Sequence, residues 1–263
     1  MQTNCPRPWS RATSRGATVG LLVGAAVAAI LLTSTTLAEA QDGRVFIDIN
    51  AGISAASSAF TDHIVFTEFV EEGDLDATYA FDSGRLIDIG GGIKLPGDLG
   101  VGVAYSRFAT THDANVDAQI PHPFFYDRDR SIAGSATGLT RTETALHLQL
   151  RWFVPIPGQF GLSVFGGPTF FNVTQDLVTA VDFSQRYPFD EATFTEASAA
   201  EQSTSVVGYH VGADVGFFFS STVGIGALVR FSRASVDLMS EGDGTVSIET
   251  GGFHAGGGLR LRF

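Results

Sequence analysis

The 263-residue chain is poor in cysteine, methionine and positive charge: it holds one Cys, two Met and 16 Lys plus Arg. A single Cys excludes a disulfide scaffold. So few basic residues against 28 acidic ones exclude a nucleic-acid binder, because phosphate contacts need clustered Lys and Arg. A membrane-crossing helix is excluded as well, since the apolar stretch from Val19 to Leu32 is about 14 residues and a span needs about 20. Charged residues make up only 17% of the chain, while 44% are hydrophobic, which excludes a disordered protein. What is abundant is glycine, with 31 residues, and phenylalanine, with 22, a balance that disfavours long helices and leans all-β.

The first 40 residues have the layout of an export signal. Arg7, Arg11 and Arg15 precede the apolar stretch, and Ala38-Glu39-Ala40 places small residues where a signal peptidase cuts. Cys5 lies before that stretch, so it does not fit an acylation site, and no twin-arginine pair is present. Cleavage after Ala40 leaves 223 residues without cysteine. Three basic residues and one acid leave with the signal, so the remainder carries 13 basic and 27 acidic groups, a net charge of −14.

Eight stretches of the remainder alternate with period two, the pattern of strands with two unlike faces. The clearest sets Leu146, Leu148, Leu150, Trp152 and Val154 against His147, Gln149, Arg151 and Phe153. Other stretches start near Ile47, Ile87, Leu99, Phe160, Val207, Val223 and Phe253. The second face is Gly, Ser, Asp, His and Arg, which cannot make a dry core, so the apolar face is expected to point outward into lipid. Trp152, Phe160, Phe217, Phe219 and Phe263 at one end, and Tyr105, Phe170 and Phe231 at the other, read as two interfacial aromatic girdles. The connections near Pro96, Pro155 and Ser220 are tight. Those at about 56–84, 109–142, 175–204 and 235–249 are long, and short and long alternate strictly. That meander predicts an all-β, transmembrane, eight-stranded antiparallel up-and-down barrel over residues 41–263, with short periplasmic turns, four long extracellular loops and periplasmic termini.

On these features the chain resembles the small eight-stranded outer-membrane barrels of the outer membrane protein A and X type. The last strand carries the most specific likeness: Phe253, Leu259, Leu261 and the terminal Phe263 resemble the signal read by the barrel assembly machinery. The resemblance implies a Gram-negative-type outer membrane and contact with lipopolysaccharide and other outer-membrane lipids. No peptidoglycan-binding domain is expected.

The inward register collects Asp48, Asp88, Lys94, His147, Arg151, His210, Asp214, Arg230, His254, Arg260 and Arg262. In eight strands the interior is narrow enough for side chains to fill it. These groups therefore form either a buried ion-pair network, with Asp48 facing Arg260, or the lining of a narrow low-conductance ion path. Arg85, Arg107 and Arg233 continue the lipid-facing register past its apolar run, either to meet lipopolysaccharide phosphates or simply to snorkel. The long loops carry 21 carboxylates against Arg128, Arg130, Arg141 and Arg186. They read as a repulsive acidic surface or as carboxylates bridged by divalent cations to neighbouring lipopolysaccharide, although no loop matches a calcium motif and no metal site is assigned. His122, Phe124, Phe125, Tyr126, Tyr187 and Phe189, with Phe66, Phe69 and Phe194, form aromatic clusters suited to a cap core or a recognition surface.

No cofactor and no enzymatic activity are expected. His63 beside Asp62, His112 beside Asp113 and His122 near Asp127 have no accompanying serine motif, and His147, His210 and His254 face the lumen. The function predicted is structural and interactive, in envelope integrity, adhesion or ligand recognition, with a narrow channel as the alternative.

Overall fold

The computed structural model describes residues 44–55, 58–240 and 245–263. The expected signal segment and its cleavage site lie outside the described residues. Among these residues ten strands follow one another: β1 Val45–Ala55, β2 Ser58–Glu68, β3 Glu71–Phe81, β4 Gly84–Lys94, β5 Leu99–Pro121, β6 Asp129–Val154, β7 Phe160–Gln185, β8 Ala192–Phe218, β9 Val223–Met239 and β10 Thr245–Arg262. Eight of them form a ring in the order β5, β4, β1, β10, β9, β8, β7, β6, and the ring closes where β6 pairs back onto β5. Every pairing is antiparallel, so the fold is an up-and-down barrel. Where β1 meets β10, Asp48 stands opposite Arg260, and Val45 and Phe263 exchange backbone hydrogen bonds. The turns at one end are short, and two of them are made by glycines in the left-handed region, Gly97 and Gly158.

The lower part of the barrel has its apolar residues outside. Ile49, Ile89, Val101, Leu150, Val164, Val211, Ile225, Val229 and Leu259 form an exposed belt, with Trp152, Phe160, Phe219 and Phe263 at the end bearing the short turns. Tyr105, Phe170, Tyr209, Phe231 and Phe253 are exposed toward the other end. Along β8 the outward apolar face runs from Val207 to Phe217, a length that suits the roughly 9–11 residues a tilted strand needs to cross a bilayer.

The upper part departs from the expectation of long loops. Most of residues 56–84, 109–142, 175–204 and 235–249 are strand, because β5 to β10 continue well past the belt and β2 and β3 form an extra hairpin. That hairpin joins the barrel by pairing Asp74–Tyr79 with Ala114–Gln119 of β5. Here the faces are reversed. Leu75, Ala77, Tyr79, Ala114, Val116, Ala118, Ile120, Ile132, Val173, Leu177, Val236, Leu238 and Ile248 are buried inside as one core. Thr61, Thr78, Thr174 and Ser203 pair on the exposed outer face. The Tyr79 hydroxyl also accepts a hydrogen bond from the Val178 amide at 2.7 Å, tying β3 to β7. Phe66 and Phe194 pack against this core, whereas Phe69 is partly exposed.

Above Phe253, the second edge of β10 has no strand partner among the described residues, since the β1 pairing ends at Ala55 and β2 pairs with β3. The wall therefore carries a lateral seam on that side.

Candidate functional site

Three places in the fold gather chemistry-bearing side chains: the lower lumen, the upper border of the apolar belt and the far tips of the hairpins.

In the lower lumen the inward register puts three carboxylates against three guanidiniums. Arg151 Nη1 donates to Asp48 Oδ2 at 2.7 Å, and Arg230 Nη1 to Asp88 Oδ2 at 2.8 Å. Arg260 reaches Asp214 through Nε at 2.9 Å and Nη2 at 2.5 Å, with Asp48 a further 3.6 Å contact. All six are buried. Arg151 is also held between the faces of Phe46 and Phe165, at 4.5 and 5.1 Å. Opposite charges at equal number in a confined space leave the network neutral, the condition under which buried ions are tolerated.

The other lumen residues behave differently. His147 bonds Ser106 at 2.9 Å and Thr169 at 2.9 Å, and Thr169 reaches His210 at 2.8 Å. His254 bonds Ser232 at 3.0 Å. Thr169 thus joins His147 to His210, and among the described residues none of the three histidines is hydrogen-bonded to a carboxylate. Ser106, Thr169 and Ser232 are outside the lumen set expected from sequence, although each holds an inward position near a luminal histidine on its own or a neighbouring strand. Lys94 and Arg262 do not join the ion pairs. Lys94 lies at the short-turn end, 4.0 Å from Asp98, and Arg262 stacks on Phe218 at 3.3 Å. Their register is inward, but the strands end there and the side chains meet the mouth of the barrel. That mouth encloses about 210 Å³, bordered by Arg151, Asp214, Arg260 and Arg262. Above the histidines, Arg141 donates to Glu143 and the apolar core begins.

At the upper border of the belt, Arg85 and Arg107 are exposed on adjacent strands. Arg85 stands opposite Ala109 and Arg107 opposite Ile87, so the two are diagonal neighbours on the outer face. No carboxylate pairs with either among the described residues. Arg233 differs from them, because its guanidinium is paired with Glu249 on β10.

At the far end, three turns meet. The Asp127 amide donates to Glu71 Oε1 at 2.7 Å, joining the β5–β6 turn to the β2–β3 turn. Arg130 donates to Gln185 at 2.5 Å, to the Phe189 carbonyl at 3.2 Å and to the Pro121 carbonyl at 2.7 Å, joining the β5–β6 turn to the β7–β8 turn. Arg128 pairs with Asp190 at 3.1 Å, and the rings of Phe124 and Phe189 meet edge to face at 5.4 Å. The platform so formed exposes Val70 at 94%, Tyr187 at 84%, Tyr126 at 78% and Phe124 at 69%, together with Phe125. Phe189 is only partly exposed and supports the others.

His122 is no part of that surface. It is 1% exposed, and its Nδ1 accepts the amides of Phe124 and Phe125 at 3.1 and 3.2 Å, so it shapes the turn from beneath. Phe69, Val70, Asp127 and Phe189, all at positive φ, are the non-glycine residues in that region among the described residues. Each such conformation costs about 1–3 kcal/mol unless its surroundings enforce it, and all four lie at these three turns.

Two further histidines complete the inventory. His63 lies on the exposed outer face of β2, with Nδ1 2.7 Å from Asp76 Oδ1 on β3 and not beside Asp62, whose carboxylate is buried inward. The hydrogen bond to Asp76 raises the His63 pKa above its ordinary value. His112 is inside, against Phe81 and within 3.2 Å of Gln175 Nε2, and burial reinforced by Arg141 lowers its pKa.

No family profile matches the sequence, and no curated protein matches it. Among solved structures, the chain is similar to Neisserial surface protein A, with 13% identity, 86% of this chain and 100% of that one covered, and a TM-score of 0.46. It is similar to the outer membrane protein OprG from Pseudomonas aeruginosa, with 11% identity, 85% and 97% covered, and a TM-score of 0.47. A third is the outer membrane protease OmpT from Escherichia coli, with 10% identity, 86% and 99% covered, and a TM-score of 0.47.

Proposed function

We propose that this chain is an integral barrel of a bacterial outer membrane that presents a rigid aromatic platform to the outside, where it recognises a cationic protein surface. The observation that carries the reading is the knitting of three turns into one exposed aromatic surface. Loops that served only as a solvated coat would not need inter-loop hydrogen bonds, a buried arginine and four strained residues among exposed rings. The three turns hold seven carboxylates, among them Glu71, Glu72, Asp127, Asp190 and Glu191, against Arg128, Arg130 and Arg186. Aromatic rings rimmed by negative charge favour a basic partner, through electrostatic steering and cation–π contact.

In this reading the chain is not an enzyme, and the lumen is closed. The ion pairs fill the lower half, and the apolar core above them gives an ion no hydrated path. Arg85 and Arg107 meet lipid phosphates at the belt's upper border, and Phe253 to Phe263 serves the assembly machinery as its recognition strand.

The test is retention of the refolded barrel, carried in lipid nanodiscs, on surfaces coated with polylysine, heparin or albumin. Retention on polylysine is expected, reduced by salt and also by the combined substitution Phe124→Ser, Tyr126→Ser and Tyr187→Ser. Retention that those substitutions leave unchanged would remove the platform from the recognition and leave only diffuse charge. Discrete conductance of the same protein in planar bilayers would favour a channel instead.

A further inference from the structure

The turn between β2 and β3 goes against its own local chemistry in three ways. Glu68 pairs with Glu71, so the connection is only Phe69 and Val70, and both stand at positive φ, +50° and +71°. A two-residue connection of this kind is the type I′ hairpin turn, whose usual residues are Asn and Gly. Phe fits it poorly and the β-branched Val more poorly still, because a Cβ crowds the backbone in the left-handed region. The chain has 31 glycines and places Gly97 and Gly158 at positive φ in the short turns of the opposite end. At this tip it has none.

Burial within the protein does not offset that strain. Val70 is 94% exposed and Phe69 37%. The other two non-glycine residues at positive φ are visibly restrained. The Asp127 amide is held by Glu71, while the Phe189 carbonyl accepts from Arg130 and its ring meets Phe124 and Tyr187. Val70 takes part in none of these contacts. Charge is the third conflict. Glu68 and Glu71 stand directly opposite each other, a like-charge pair that disfavours the hairpin. Glu72 follows at once, and neither β2 nor β3 holds a Lys or Arg.

Local choices that contradict the fold around them gather at functional positions. One kind of partner answers all three conflicts. An apolar socket takes Val70 out of water, a cationic rim offsets the opposed glutamates, and contact on both sides of the turn holds its backbone. We propose that Phe69 and Val70 form a wedge that enters an apolar socket bordered by Lys or Arg on a partner protein. The wedge rests on the recognition reading above and names the side chains that anchor it. The same carboxylates disfavour a lipid surface as the partner, since entry would press them against the headgroup phosphates.

To test it, the full barrel in phosphatidylcholine nanodiscs is titrated with amino-β-cyclodextrin, an apolar ring with an ammonium rim, and with unmodified β-cyclodextrin, which has the cavity without the charge. Binding is followed by NMR of the Val70 methyls and of the cyclodextrin, with empty nanodiscs as the control. The amino ring is expected to enclose the Val70 methyls and to bind about fivefold more tightly than the neutral one. Phe69→Asn combined with Val70→Gly gives the turn its usual residues. That variant should slow hydrogen exchange of the hairpin amides about fivefold while weakening the amino ring about tenfold. Unchanged binding overturns the wedge. Faster exchange overturns it too, because the two side chains would then serve the fold. Transfer of the Val70 methyls into phosphatidylcholine vesicles in preference to the amino ring would make the partner lipid and also overturn it. The combined Phe124→Ser, Tyr126→Ser and Tyr187→Ser variant should keep the Val70 contact, and loss of that contact would move the anchor to the platform and overturn the wedge. Polylysine retention that this variant leaves unchanged strikes the platform reading instead.

Discussion

The two halves of the barrel are built from the same strands with opposite dress. On β5 the lower residues Leu99, Val101, Val103 and Tyr105 point outward, with Gly100, Gly102, Ala104 and Ser106 inside. Farther along the same strand Asp113, Asn115 and Asp117 point outward, with Ala114, Val116, Ala118 and Ile120 inside. β9 makes the same exchange, from Ile225 and Val229 outside to Val236 and Leu238 inside. On these two strands the alternation runs unbroken, because a strand's side chains change sides at every residue. What changes is the solvent: lipid rewards apolar groups outside, and water rewards them inside. The crossing falls at the level of Arg107 and Arg233.

That contrast can be broken at its strongest point first. Arg260→Ala leaves Asp214 and Asp48 buried with one cation fewer and should cost about 3–5 kcal/mol, measured by denaturant titration of the barrel in lipid vesicles. A loss near the 0–1 kcal/mol typical of exposed pairs would show that the lower half does not depend on its ions.

In the upper half, Leu75→Ala removes a residue 1% exposed and should cost about 2–5 kcal/mol as a cavity in an ordinary core. Its signature is local. Proteolysis should reach the β2–β3 hairpin while the lower strands stay protected, and simultaneous loss of both halves would show that they form one cooperative unit. A matched pair of outward substitutions comes next. Val211→Arg in the belt should cost about 2–4 kcal/mol, whereas Asp117→Arg on the cap exterior should fall within about 0.5 kcal/mol. Equal effects would remove the membrane from the explanation.

The smallest effect is a titration. Because the Asp76 hydrogen bond raises the His63 pKa, the stabilisation is present below the ordinary histidine range and fades as pH rises through the raised value. Both groups are exposed, so the readout is NMR of the His63 ring. Asp76→Asn should move its midpoint down toward the ordinary value, and an unchanged titration would deny the pairing.

The lower half was legible from sequence because its rule is unusual: Leu146 to Val154 alternating with His147, Gln149 and Arg151 admits lipid on one side and little else. The same rule concealed the upper half. A search for apolar residues facing outward passes over Leu75, Ala77, Tyr79 and Phe81, which alternate just as strictly in the opposite sense, and so the segments around them look like loops. The partners within the lumen were harder. Register brings Asp48 opposite Arg260, but the shorter contact is with Arg151 across the barrel, and only side-chain reach decides between them. The seam left no sequence signal beyond Gly251-Gly252.

The pairing of β1 with β10 joins residues about two hundred positions apart, and it has a temporal consequence. Until the final strand exists, the sheet keeps two open edges, and neither can face hydrocarbon without stranding its amides and carbonyls. The chain therefore has no stable halfway form within a bilayer. Insertion and closure must happen together, or the growing edges must be chaperoned by a temporary template that lends them backbone partners and then gives way to β10.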